Sequence, residues 1–174
     1  MKINVRLNSK DISTAINQVE QYKVDLMAKL ELFVSELADI GIKVAKANTY
    51  VEYDERNVNM GDLIEFTKEM SGVDGVTSCT LIAEGHEYTK EWTGGFAKVN
   101  PLLMAEFGSG ARAIDGHRGT FPNQTMAFLS SWKWTDNSGQ VHESSGNEPS
   151  RPLYKAKIEM ESQIREVAER VFST

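Results

Sequence analysis

Polar and apolar residues alternate at the start of the chain, with Ile3, Val5 and Leu7 on one side and Lys2, Asn4, Arg6 and Asn8 on the other. A period of two predicts a half-buried strand that joins a sheet. Beyond it the period lengthens. Ser9 or Asp11 is placed to cap a short helix whose apolar stripe is Ile12, Ala15, Ile16 and Val19, ending near Tyr22. A second helix is expected from about Val24 to Ala47, where Leu26, Leu30, Phe33, Leu37, Ile40 and Val44 recur at spacings of four and three. Glu31, Glu36, Asp39 and Lys43 lie off that seam. Such a helix is roughly 36 Å long, enough to lie across its own sheet or along a neighbouring subunit.

The stretch NTYVEYDERNVNMGD has no helical period and is rich in Asn and Asp, so it reads as a loop leading into strands. Ile64, Phe66 and Met70 then alternate with Glu65, Thr67 and Glu69, and after the turn residues GVDG the run VTSCTLIAE is rich in β-formers. A hairpin joins the two. Glu84-Gly85-His86 reads as a turn into a third strand, EYTKEW. Residues 108–124 show little periodicity and are expected to form a long surface loop. The run TMAFLSSWKW predicts a last strand with Met126, Phe128, Trp132 and Trp134 on one face, followed by a loop, TDNSGQVHESSGNEPS. Pro149 and Pro152 lead into a closing helix with Leu153, Met160, Ile164, Val167 and Val171 along its seam. The expectation is an α+β fold: a mainly antiparallel sheet of about four to five strands packed by a long N-terminal helix and a C-terminal helix. One domain spans 1–174, with a strand and two helices in 1–48, the sheet in 60–135 and the closing helix in 150–172.

Composition narrows the class. With 40% hydrophobic and 25% charged residues the chain fits neither the disordered nor the membrane class, and no apolar run approaches the roughly 20 residues that span a bilayer. Its first residues lack the apolar core of a secretory signal, so synthesis in the cytoplasm is expected. The net charge of −6 is unevenly spread. Residues 1–48 hold 7 basic and 6 acidic side chains, residues 49–150 hold 7 and 15, and residues 151–174 hold 5 and 4. A surface built from the middle repels phosphate, which argues against tight sequence-independent DNA binding but permits transient proximity to DNA that slides past.

Reactive constellations fall short one by one. Cys79 is the sole cysteine, without the spaced Cys or His partners of a zinc site, and reads as a small core residue. His86-Glu87 and His142-Glu143 open like a zinc-protease helix, but Lys90 and Gly146 stand where the second His belongs. The Gly-Ser-Gly of Gly108 to Gly110 lacks both the spacing of a nucleophile elbow and the Lys-Ser/Thr ending of a phosphate cradle. The carboxylate pairs Glu65/Glu69 and Glu87/Glu91 lie on polar strand faces. Trp132, Trp134, Tyr88 and Trp92 could stack on bases, yet only Lys133 and Lys90 are near, which favours burial in a core or interface. No catalytic residue, metal site or cofactor is expected. The competing reading, a small hydrolase, would have to use Ser109, His117 or His142; a monomeric binding domain is a third.

The run PLLMAEFGSGA, residues 101–111, resembles the signature of the tailed-bacteriophage neck and tail-completion family of head-to-tail joining proteins, in which an acidic residue precedes an aromatic and then Gly-Ser/Thr-Gly. The opening strand with its short and long helices, the W-x-W-x-D-x-x-G run from Trp132 to Gly139, and PSRPLYKAKIEM at the entry to the closing helix resemble the same family, in the same order. Residues 49–75 match it least, and the loop at 111–124 is longer than usual. The resemblance implies a structural virion protein without catalysis, with a curved sheet flanked by helices and closed rings around a channel through which DNA leaves the capsid. Its implied partners are further copies of itself and neighbouring head-closure, tail-terminator or tail-tube proteins at the head–tail interface. The neighbouring role, a tail terminator capping the tail tube, shares those features. Carried over, Glu106, Phe107, Gly108, Ser109 and Gly110 form the turn leaving the sheet, while Arg151, Pro152 and Leu153 set the terminal helix against it.

Overall fold

A computed structural model describes residues 9–49, 60–73, 75–92, 95–113, 132–135 and 138–173. Helix α1 runs from Ser9 to Ala47 without interruption. The expected break near Tyr22 is therefore absent. Lys23 interrupts the apolar stripe, but no Gly or Pro stands there to stop the backbone, and Gln21 Nε2 donates to Asp25 Oδ1 at 2.8 Å across the supposed gap. At its far end the free carbonyls are taken up locally: Asn48 Nδ2 donates to the Val44 carbonyl at 2.8 Å and Thr49 Oγ1 to that of Lys46 at 2.7 Å.

Strands β1 (Ile64–Val73) and β2 (Val76–Gly85) form the expected hairpin, in register from Ile64↔Gly85 to Val73↔Val76. Gly75, at φ +81°, supplies the left-handed position of its tight turn. A short 3-10 turn, Met60–Leu63, precedes it, and the His86 N–H donates to the Leu63 carbonyl at 2.8 Å, closing the hairpin's open end. Strand β3 (Tyr88–Trp92) is also as expected, and it pairs with β4 (Gly95–Val99), a stretch to which the sequence reading assigned no element. Helix α2 (Pro101–Phe107) takes in Glu106 and Phe107, the first two residues of the expected 106–110 turn, and Gly108 carries the chain out of it. Strand β5 (Trp132–Thr135) pairs with β6 (Val141–Ser144), a strand inside the segment read as loop. Helix α3 (Pro152–Phe172) closes the chain within the expected 150–172. The opening strand, residues 50–59, and residues 114–131, which include most of the expected loop and the start of the last strand, lie outside the described residues.

The architecture is α+β. Among the described residues the strands form three antiparallel pairs, β1–β2, β3–β4 and β5–β6, and no ladder joins them into one sheet of four or five. The inner face of β1–β2 meets α1, where Ala45, Ile64, Phe66, Ala105 and Ala156 form a core flanked by Ile42, Leu81, Leu102, Met104 and Leu153. Burying Phe66 alone contributes about 2–3 kcal/mol. Three alanines at the centre let α1, α2 and α3 approach closely.

Helix α3 lies antiparallel to the C-terminal half of α1. Lys155 Nζ reaches Asn48 Oδ1 at 2.8 Å, Arg170 Nη2 reaches Glu36 Oε2 at 2.6 Å, and the Phe172 ring packs on Phe33 at 5.9 Å between centroids. Gly41 is a mid-helix glycine with a packing reason: a Cβ there would stand 2.6 Å from Met160 Sδ and 2.9 Å from Leu81 Cδ1. Met160 is flexible, so Gly41→Ala should change stability by under about 1 kcal/mol, since the gain in helix propensity offsets the shift. Gly41→Val should cost about 1–3 kcal/mol in urea unfolding, because its branched carbons cannot be accommodated by one thioether alone. Among the described residues no helix is long and apolar enough to cross a membrane.

Candidate functional site

The motif residues form a joint between α2 and α3. Helix α2 starts where Asn100 Oδ1 accepts from the Leu102 and Leu103 N–H groups at 3.0 and 3.2 Å, with Pro101 in the first turn, where a missing N–H costs nothing. Seven residues later it stops at Gly108, whose φ of +76° takes the chain out of the helix while its N–H still donates to the Met104 carbonyl at 2.9 Å. A side chain at Gly108 would meet the Asn147 carbonyl oxygen at 2.7 Å and Pro149 at 3.0 Å.

That close approach is held by hydrogen bonds over a sequence gap of some forty residues. The Ser109 N–H donates to the Asn147 carbonyl at 2.9 Å, the Asn147 N–H donates to Ser109 Oγ at 3.1 Å, and the Ala111 N–H donates to the Ser145 carbonyl at 2.9 Å. The Ala105 carbonyl accepts from the Ser150 and Arg151 N–H groups at 2.9 and 3.0 Å and from Ser150 Oγ at 3.2 Å. Between these two sets sits Glu106. Its Oε2 accepts from the Leu153 N–H at 2.8 Å and its Oε1 from the Tyr154 N–H at 3.1 Å.

Glu106 thus caps α3 from another helix. The residue in the local capping position is Arg151, in the left-handed region at φ 55°, ψ 54°, and its side chain makes no capping bond. It lies instead over the Tyr154 ring, 5.7 Å from the centroid. A carboxylate on the first-turn N–H groups satisfies donors that the helix cannot and opposes the positive end of its dipole. Pro152, almost fully buried, fixes the first turn.

Of the residues expected to matter, Glu106, Gly108, Ser109, Arg151 and Leu153 meet in this clasp through hydrogen bonds or close contacts, and Phe107, Gly110 and Pro152 lie within its two strands of chain. Trp132 and Trp134 hold alternate positions in β5, in register with Ser144 and His142, so β6 delivers the chain directly to Ser145–Asn147. Asn100, Ala105, Gly146, Asn147 and Ser150 were missed. The Asn-Pro start of α2 is a helix signal that the sequence does carry; the other contributions are mostly backbone groups, which leave no trace in residue type.

The clasp is built for holding. Ser109 is buried, its hydroxyl accepting a backbone N–H, and both carboxylate oxygens of Glu106 are occupied by the α3 amides. Among the described residues no group of three or more His, Cys, Asp or Glu is placed to hold a metal ion; His117 lies outside them. A second polar cluster ties β1 to α1, with Lys68 Nζ donating to Ser35 Oγ at 2.7 Å and to Asp39 Oδ2 at 2.6 Å. Beside it, burial pushes the Cys79 thiol above its ordinary pKa, with Lys68 opposing and Asp39 adding to the shift. At pH 8 less thiolate is present than on a free cysteine, so iodoacetamide should alkylate Cys79 several-fold more slowly in the native protein than in urea, read by mass spectrometry.

No protein-family model, curated protein or solved structure matches this chain.

Proposed function

We propose that this chain is a structural virion protein of a tailed bacteriophage or prophage, a neck or tail-completion subunit that forms a ring at the head–tail interface for DNA passage. One observation carries the reading: the two segments singled out by the family resemblance, 106–110 and 151–153, are parts of a single hydrogen-bonded joint. Such a joint sets the direction of α3, as the resemblance implies. In this reading the β pairs complete one curved sheet of four to five strands within a single domain. The protein is made in the host cytoplasm, carries no cofactor and meets head-closure, tail-terminator or tail-tube proteins in the virion.

Charge supports the conduit. The face of β1–β2 turned away from α1 carries Glu65, Glu69 and Glu84, with Glu65 and Glu84 directly opposed across the pair. Like charges placed so cost stability, with His86 Nε2 3.9 Å from Glu65 Oε2 beside them. A wall of carboxylates repels DNA phosphates and keeps a passing duplex mobile. Ring contacts between unlike surfaces would each bury on the order of 1,600 Å².

Deleting the reading frame from its phage and imaging the lysate by electron microscopy tests this. The expected result is DNA-filled heads beside free tails of normal length. Tails of irregular length would instead identify a terminator, and intact infectious virions would remove both roles. If Ser109→Ala, His117→Ala and His142→Ala each leave infectivity unchanged, the hydrolase reading is dismissed as well.

A further inference from the structure

The C-terminal half of α1 is covered by α3, whose last helical residue, Phe172, meets Phe33. The stretch Ser9–Leu32 runs on beyond it, about 24 residues and so about 36 Å. The heptad seam does not stop where α3 does. Ile12, Ile16, Val19, Lys23, Leu26 and Leu30 continue the track of Phe33, Leu37, Ile40 and Val44 at the same alternating spacings of four and three. In the first half of the overhang its side chains face water: Ile12, Ile16 and Val19 are 43%, 53% and 54% exposed, and Ile12, Ala15, Ile16, Val19 and Glu20 line a shallow groove, while Leu26 and Leu30 are half-buried.

We propose that this overhang binds the same overhang of a second copy, antiparallel, about a two-fold axis beside Gln21. Aligned so, Ile12 faces the second copy's Leu30, and Ile16 faces its Leu26. Ser9 comes level with the second copy's Phe33, so each overhang is covered along its whole length and ends where α3 takes over. Lys23, the one charged residue in the seam, decides the direction. In a parallel pair it would oppose its own copy within an apolar seam, like charge against like. In the antiparallel pair it faces Val19 and lies within about 1.5 Å of axial height of the second copy's Glu20, on the same side of the seam. The two helix dipoles then also oppose.

A strip about 36 Å by about 10 Å hides on the order of 700 Å² over both copies, well below a standard interface of about 1,600 Å². The pair is therefore reversible. A two-fold contact closes on itself and cannot propagate around a ring, so the dimer belongs to the free protein and is separate from the ring contacts of the proposed function.

Sedimentation of the full chain over a concentration series should show a monomer–dimer equilibrium, and Ile16→Asp should leave only monomer with α3 and the hairpin intact by hydrogen exchange. Lys23→Glu and Glu20→Lys should each weaken the dimer about tenfold, by two like-charge contacts per pair, while an equimolar mixture of the two variants recovers it. An effect confined to one helix cannot be rescued by mixing. In a Cys79→Ser background, an Ile12→Cys copy should oxidise to a disulfide with a Leu30→Cys copy and not with itself. A single-chain mass at every concentration, an oligomer indifferent to Ile16→Asp, a mixture that fails to recover, or self-crosslinking of Ile12→Cys overturns the proposal. None of these outcomes touches the lysate experiment above.

Discussion

Gly146→Ala is expected to lower folding stability by at least about 3 kcal/mol, from two additive causes. Gly146 holds φ at +96°, where a side chain adds roughly 1–2 kcal/mol of backbone strain. Its Cβ would also fall on the Ser109 carbonyl and 2.9 Å from the Gly110 Cα. These obstacles are backbone, pinned by the Ser109–Asn147 and Ala111–Ser145 hydrogen bonds, so relief requires giving up bonds worth about 1 kcal/mol each. Gly139 provides the control. It too has positive φ, +86°, but a Cβ there meets nothing within 4 Å, so Gly139→Ala should show the strain alone, about 1–2 kcal/mol. The comparison is made by urea unfolding with matched slopes. Equal losses at both positions would mean that the clasp yields without cost and does not hold the two segments.

The sequence carried those parts of the fold whose periodic pattern runs long enough to be unmistakable. The seam of α1 repeats over many turns, and the β1–β2 hairpin combines alternation with a glycine turn, so both were legible. The expected break near Tyr22 is absent because a helix continues through any residue, such as Lys23, that does not break its backbone. Short elements were lost for a different reason. In β6, VHES has one apolar residue in four, and its strand conformation comes from pairing with β5, a long-range property. Seven residues in α2 span two turns, too few for a period to show, and its Asn-Pro start is a single local signal followed at once by the turn-like Gly-Ser-Gly. The clasp divides in the same way. Glycines needing positive φ and a proline in the first turn mark themselves by type, while a carbonyl such as that of Ala105, which accepts three donors, would do so with almost any side chain.

Glu106 makes the clasp's connection to the α3 amides through a side chain that can be removed. Glu106→Ala should cost about 2–3 kcal/mol, because the Leu153 and Tyr154 N–H groups lose their acceptor and the α3 N-terminus loses a facing negative charge. The local capping residue cannot substitute, since Arg151 has no side-chain acceptor to offer. Glu106→Gln separates the two contributions. It retains one oxygen for one amide and gives up the charge and the second bond, so its loss should be about half that of the alanine variant. Glu106→Asp tests reach, as a chain shorter by one carbon cannot sit on both amides from the same backbone position, and should resemble Gln. Native-state hydrogen exchange supplies the site-specific readout: the Leu153 and Tyr154 amides should exchange faster in Glu106→Ala by more than the fall in global stability explains. Were those amides to stay equally protected, water or a neighbouring group would be serving them and the cross-helix cap would be wrong. If the proposed virion role holds, the same substitution should reduce phage titre as temperature rises while leaving it near normal in the cold, the behaviour of a weakened joint.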